Sequence, residues 1–437
     1  MAFRIIVLAI GEAGVALAAL ISPYFGLLVL LFMVFARPQD DRPNVVELHI
    51  PLVLTCALLL GTFARLGTIG AQFWKSLKRL RLFFLYIALM FLSAAANSFT
   101  PPSVARLQDF LTVACLCFLA LIWVNTHGRV QGFIWCLIGS GFSIFLAAVR
   151  NPRYIHEQIG ADSFTRLSLE RSNGNFGNPN YLACLMSLLI ILSLAQLNAT
   201  LNKFVKLGLL ALTGCFCYVL FLAQSRGASL GLAGALLCFW ILQKGKVRNL
   251  LIVTAMAGFA FYAAPESYWE RIASVGHYQD DRSATDRLKL WSIGLDLISN
   301  NPLLGIGPDN FESRAFNSPH DAYVQVASEM GIPALLVYLA LLATAFRALW
   351  RAQLACRTLE RASQPIVAIS VGLTGALIIV VIQGCTTGLA HREFVYILIT
   401  LSYCLQNIAE EDAGRVSVSD SEVADEVAEP ANAGTGS

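Results

Sequence analysis

Charge is the scarcest ingredient of this chain. Only 14% of its 437 residues are Asp, Glu, Lys or Arg, against 57% hydrophobic. A soluble protein of this length carries roughly a quarter charged residues, so that shortage excludes a soluble globular enzyme. The signatures of metal and redox chemistry are missing as well. Eleven cysteines are present, yet none forms a CxxC pair. They sit in apolar runs such as Cys115-Leu-Cys117 and Cys215-Phe-Cys217, where thiols pack as small hydrophobes. No spaced carboxylate cluster suits a divalent ion, and Asp280-Asp281 is an adjacent pair whose side chains diverge. Neither metal nor cofactor is expected. There is no internal repeat and no separate soluble domain.

What the chain has in abundance is apolar helix. A transmembrane helix needs about 20 mostly apolar residues. Runs of that kind are readable near 50–65, 82–98, 106–125, 130–149, 179–197, 205–224, 228–242, 250–264, 333–349, 365–383 and 394–408, after two shorter runs at 4–20 and 23–36. The expected fold is therefore all-α, a polytopic transmembrane bundle of about 12 spans, or 13 if both short runs cross. Basic residues cluster in 65–81, 203–206, 244–248 and 347–361, which places those connections on the cytoplasmic side. The connections 99–105, 150–178, 265–332 and 384–393 then face outward. Residues 1–408 read as one integral membrane unit with its active-site loop at 265–332. The remainder, 409–437, reads as an acidic, disordered cytoplasmic tail. It holds eight acidic residues against Arg415 alone, leaving about +10 on the rest of the chain.

Polar chemistry collects at three outward stations. The first is Arg166 to Asn180, with Arg166, Arg171, four asparagines and two glycines just ahead of a span. Such amides bind hydroxylated ligands or cap helices. The second is Gln224-Ser225-Arg226-Gly227, a turn almost too short to be a loop. The positive-inside tendency disfavours an outward arginine there unless it has work to do. The third is the long polar stretch from Arg282 to Pro333. Its segment 287–299 puts Leu290, Trp291, Gly294, Leu297 and Ile298 on one helical face, the pattern of a helix along the interface with Trp291 at headgroup depth. Arg287 opens that helix, where it opposes the positive dipole end unless an anion is near. His320 follows Pro319 and precedes a helical pattern from Ala322, a position that favours the neutral, base-competent ring. Two arginines and a neutral histidine on one membrane face could grip a lipid pyrophosphate and deprotonate an acceptor hydroxyl.

These segments resemble the O-antigen ligase superfamily, which also includes some O-antigen polymerases and protein O-oligosaccharyltransferases. The matching stretches are GNFGNPNYLA (174–183), QSRGASLG (224–231), RLKLWSIGLDLISNNPLLGIGPDNF (287–311) and HDAYVQVASEMGIPALLVYLALL (320–342). The resemblance implies metal-independent transfer of a glycan from undecaprenyl diphosphate to an acceptor such as lipid A core, with inversion. It places the enzyme in the bacterial inner membrane with its active site facing the periplasm. Carried over by motif, Arg226 and Arg287 would bind the diphosphate, and His320 would be the base or an acceptor-orienting group. Arg171, Asn180 and Asp321 would support them. One departure stands out: the family often has Asn after the histidine, where this chain has Asp321. That carboxylate would orient His320 while adding negative charge near a diphosphate.

The close alternative is a polymerase, whose acceptor is another lipid-linked repeat unit. Protein O-glycosylation is a further member reading, but no extra acceptor domain is visible. A transporter of lipid-linked glycan belongs to a different class, and would put its polar residues at the bilayer midplane. Here they collect at the outer rim. Membrane lipid, the glycan donor and the acceptor are the expected partners, and nucleic acid is not.

Overall fold

The computed structural model describes residues 2–36, 50–150, 152–159, 162–168, 178–243, 246–264, 266, 268–269, 282–356 and 364–428. Among them it is an all-α protein apart from one hairpin. The helices are α1 (Ala2–Ile21), α2 (Pro23–Phe35), α3 (Ile50–Phe63), α4 (Leu66–Arg79), α5 (Arg81–Ala96), α6 (Pro101–Trp123), α7 (His127–Arg150), α8 (Pro179–Ala199), α9 (Lys203–Ala223), α10 (Arg226–Leu242), α11 (Lys246–Ala263), α12 (Arg282–Asn300), α13 (Phe311–Arg314), α14 (Ala322–Ala355), α15 (Gln364–Gly384) and α16 (Glu393–Ala428).

By length and composition, six helices among the described residues can cross a bilayer: α6, α7, α8, α9, α14 and α15. The pair α3 and α4, bent by 109°, makes a possible seventh, while α2, α5 and α10 are apolar but shorter. A bundle of membrane helices stands as expected; the count of about 12 spans is not reached on these criteria. One reason is that the runs read at 50–65, 82–98 and 228–242 form helices of only 14, 16 and 17 residues; 65–81, read as a connection, is mostly the 14-residue helix α4. Arg65 makes the sharp bend possible. Its guanidinium donates to Leu20 O and Gly61 O at 2.8 Å and to Ile21 O at 2.9 Å, satisfying carbonyls that the ends of α1 and α3 leave open.

Helix α8 is buried nearly all round, from Pro179 to Leu197, the expected signature of a central helix. It packs between α9 and α15, and α15 packs in turn on α10. Small residues set that closeness. A Cβ at Gly372 would overlap the Ala195 side chain, so the α8 and α15 backbones approach as they do in other membrane helix pairs.

Helix α14 is broken within its length. Gly331 has φ 85 and ψ 169, and Pro333 follows. Proline donates no N–H, so the carbonyl one turn earlier loses its helical partner. The freed carbonyls are satisfied from outside the helix. Ile306 N donates to Ser328 O at 3.0 Å and Gly307 N to Glu329 O at 2.9 Å, while Ser93 Oγ adds a bond to Glu329 O at 2.8 Å. The motif GIGPDN and the motif EMGIP are thus two halves of one junction, and α14 begins with an independent half-helix, Ala322–Met330.

Two further features depart from expectation. The stretch 150–178 contains an antiparallel hairpin, Arg153–Ile159 paired with Asp162–Ser168. The tail does not lose structure at 409, because α16 continues to Ala428. Lys75 Nζ meets Glu411 at 2.8 Å, His127 Nε2 meets Asp412 at 2.5 Å, and Arg79 bonds Gln406 and Asn407. The first acidic residues of the tail are therefore held against α4 and the start of α7. Residues 429–437 lie outside the described residues.

Candidate functional site

Three helix starts converge on the turn between α15 and α16. Helix α8 starts after Asn178, whose Oδ1 accepts from Asn180 N at 2.8 Å. Helix α10 starts at Arg226, capped by Ser225. Helix α14 starts after Asp321, whose Oδ1 accepts from Tyr323 N and Val324 N, both at 2.8 Å. The turn 385–392 touches all three. Gln383 Nε2 at its edge donates to Asn180 O at 2.8 Å. Tyr181 Oη donates to Gly388 O at 3.3 Å. A Cβ on Gly227 would overlap Thr386 Oγ1, and one on Gly388 would lie 2.7 Å from Gln325 Oε1. His391 Nε2 lies 2.9 Å from Glu329 Oε2. Each helix N-terminus carries about half a positive charge, so their convergence makes this end of the bundle attractive to anions.

Arg226 sits where α9 gives way to α10 with almost no connection. Gln224 takes the left-handed conformation, φ 47, to end α9, and Arg226 is the first residue of the next helix. It is half-buried. The turn is braced by Arg166 on the second hairpin strand, only 5% exposed. Arg166 Nε donates to Ala223 O at 3.0 Å and its Nη2 to Asn180 Oδ1 at 2.8 Å. Asn180 accordingly bridges Arg166 and Gln383. Arg171 lies outside the described residues.

His320 is also in the left-handed region, at φ 49, uncommon for a residue with a side chain and frequent at functional sites. Its Nδ1 lies 3.5 Å from Ser318 Oγ. Burial pushes the Asp321 carboxyl up, while the bonds from Val324 N and Tyr323 N oppose that shift. Asp321, expected to orient His320, caps helix α14 through these two bonds.

Arg287 lies in the second turn of α12, which starts at Arg282, five residues before the expected opening. The expected face is the buried one: Leu290 and Gly294 are buried, Leu288, Lys289 and Leu295 exposed. That face packs on protein. Trp291 Nε1 donates to Pro319 O at 3.0 Å, and a Cβ at Gly294 would overlap Val324. Arg287, one turn before Trp291, is thereby brought to the His320 end of α14. Arg226 and His320 are joined through the 385–392 turn and the half-helix.

The turn itself escaped sequence reasoning, which treated 384–393 as a plain connection. A usable signal was present. Gln383, Thr386, Thr387 and His391 are four polar residues in nine, between two strongly apolar helices.

A comparison with curated proteins finds no match. Residues 207–339 match the family model described as O-antigen ligase, a stretch that includes Arg226, Arg287, His320, Asp321 and the α14 junction but stops short of the 385–392 turn. Over residues 207–339 this chain is similar to the O-antigen ligase family, and those residues lie in a bundle of membrane helices.

Proposed function

We propose that this protein is a membrane glycosyltransferase that moves a glycan from undecaprenyl diphosphate onto lipid A core or a similar acceptor at the periplasmic face. The observation that carries the reading is the convergence of three helix N-termini around Arg226 and His320. Arg226 and Arg287 would hold the diphosphate, each as a planar fork able to bind two oxygens at once. As the bond from the anomeric carbon to the diphosphate oxygen breaks, negative charge gathers on the diphosphate. The guanidinium groups and the helix ends neutralise it there, where a preorganised charge needs no rearrangement. His320 accepts the proton of the acceptor hydroxyl while that oxygen bonds to the anomeric carbon from the opposite face, inverting it. The departing diphosphate then takes up a proton from the surrounding water.

The test is transfer by the purified full-length protein in metal-free buffer, with undecaprenyl-diphosphate-linked glycan as donor. Lipid A core and further lipid-linked glycan are offered in turn as acceptors. Transfer to lipid A core that disappears in His320→Ala supports the ligase reading. Chain growth on lipid-linked glycan makes the protein a polymerase. Donor binding without transfer to either acceptor overturns the assignment in favour of a carrier.

A further inference from the structure

The turn between α15 and α16 holds more polar matter than a connection between apolar helices needs. Glu329 is 1% exposed and His391 9% exposed, and they meet at 2.9 Å. Gln325 Oε1, Gln383 Oε1, Thr387 Oγ1 and His391 Nδ1 are buried with no hydrogen-bond partner among the described residues. Gln325 lies one helical turn before Glu329, and the other three belong to the turn or its edge.

Burying such a pair is expensive. Desolvating a carboxylate and an imidazole offsets most of their attraction, and apolar side chains of similar volume join helices at least as well. The cost grows inside a membrane bundle, where ionisable residues mark function by default. What distinguishes this pair is what it joins. Glu329 closes the half-helix whose opposite end carries His320 and Asp321. His391 belongs to the turn whose Thr386 fills the space over Gly227, the neighbour of Arg226. The same turn is anchored on α8 through Gln383 and Tyr181.

We propose that Glu329 and His391 are positioning residues that fix Arg226 relative to His320. The proposal rests on the reading of Arg226 and His320 given under the proposed function. His391 lies beyond the family-matched residues and Glu329 within them, so the pair ties the matched domain to the final helix. With Glu329 ionised, His391 Nε2 is the donor. The amide oxygen of a glutamine at 329 still accepts that bond; an alanine does not.

The experiment uses the full-length protein in lipid nanodiscs, with undecaprenyl diphosphate binding, transfer kinetics and thermal melting measured for each variant. His391→Ala and Glu329→Ala are expected to lower kcat by up to about 100-fold, the cost of misplacing reacting groups by about 1 Å. Undecaprenyl diphosphate affinity is expected to fall about tenfold, within the coupling range of contacting residues. Glu329→Gln is expected to retain most of both. Added to Arg226→Ala, His391→Ala should weaken binding no further. Multiplying losses would show that the pair acts elsewhere and would overturn the proposal. So would wild-type kinetics in His391→Ala, or equal damage from Glu329→Gln and Glu329→Ala. Where the alanine variants fail to fold, Glu329→Gln decides: retained kcat supports positioning by geometry, and loss at an unchanged melting temperature overturns it. A wild type that binds undecaprenyl diphosphate but transfers nothing defeats the transfer reading alone. The binding cycle with Arg226→Ala still judges the pair.

Discussion

The indole of Trp291 donates to the carbonyl oxygen of Pro319 at 3.0 Å, so helix α12 grips the chain one residue before His320. On the other side of His320, Asp321 caps α14 with two bonds. A left-handed φ on a residue with a side chain costs on the order of 1–2 kcal/mol and persists only where its surroundings enforce it. These flanking bonds are that enforcement.

Trp291→Phe keeps the aromatic body and removes the donor. The lost hydrogen bond is worth about 1 kcal/mol, small for the whole fold but applied beside His320. The expected result is a several-fold fall in transfer rate with the melting temperature nearly unchanged. Transfer kinetics beside a thermal melt check it; an unaltered rate would remove Trp291 from the support of His320.

Gly331→Ala should damage the protein more broadly. Gly331 has φ +85, and a Cβ there would overlap the backbone of Leu303. The conformational penalty alone is on the order of 1–2 kcal/mol, and the overlap would push apart the bonds from Ile306 and Gly307 to the half-helix. A lower melting temperature is expected, with Gly305→Ala behaving alike, since it would meet the Glu329 backbone. Melting curves in detergent decide, and wild-type curves for both would contradict the junction described above.

Much of this architecture was legible in the sequence, and the parts that were not share a cause. Long apolar runs announce membrane helices, and Pro319-His320-Asp321 ahead of a helical pattern announces a helix start. Both are local patterns. The bond between Gln383 and Asn180 joins residues 203 apart in sequence and leaves no local trace, so the turn at 385–392 read as a plain connection. The hairpin was hidden by its setting among charged and polar residues between helices. Helix α4 was hidden by lysine and arginine content that reads equally well as a basic loop.

Asp321 separates a capping role from an electrostatic one. Asn accepts the same backbone bonds, whereas Ala loses a cap worth about 1 kcal/mol. Asp321→Asn is therefore expected to retain transfer and Asp321→Ala to lose stability. The pH dependence has a definite sign. Burial raises the folded-state carboxyl above its ordinary 3.8, so the folded protein binds this proton more tightly than the unfolded chain. That contribution is complete below 3.8 and is lost as pH rises through the raised folded value. Asp321→Asn should abolish this loss in unfolding measured across the acidic range. A variant that melts normally yet transfers nothing would instead give the carboxylate a part in the chemistry.

Arg226→Lys keeps the charge and removes the fork. A bidentate guanidinium matches two phosphate oxygens at once, while an ammonium offers one point. Transfer is expected to fall well below wild type, with the donor KM raised. A lysine variant with wild-type kinetics would take Arg226 out of the diphosphate site, leaving the helix ends and Arg287 as the anion-binding elements.

The side of the membrane that the site faces can be read from one surface position. The Lys289 side chain is 64% exposed on α12, beside the buried Leu290. A cysteine placed there should react in intact cells with a thiol reagent that cannot cross the inner membrane, if α12 lies on the periplasmic side. Native thiols set the background, since Cys56 and Cys385 are exposed, so the parent protein is labelled in parallel. Labelling of Lys289→Cys above that background is the expected outcome. Labelling only after the membrane is opened would put α12 on the cytoplasmic side. His320 and Arg226 would go with it, because Trp291 ties α12 to the His320 segment and the 385–392 turn ties that segment to Arg226.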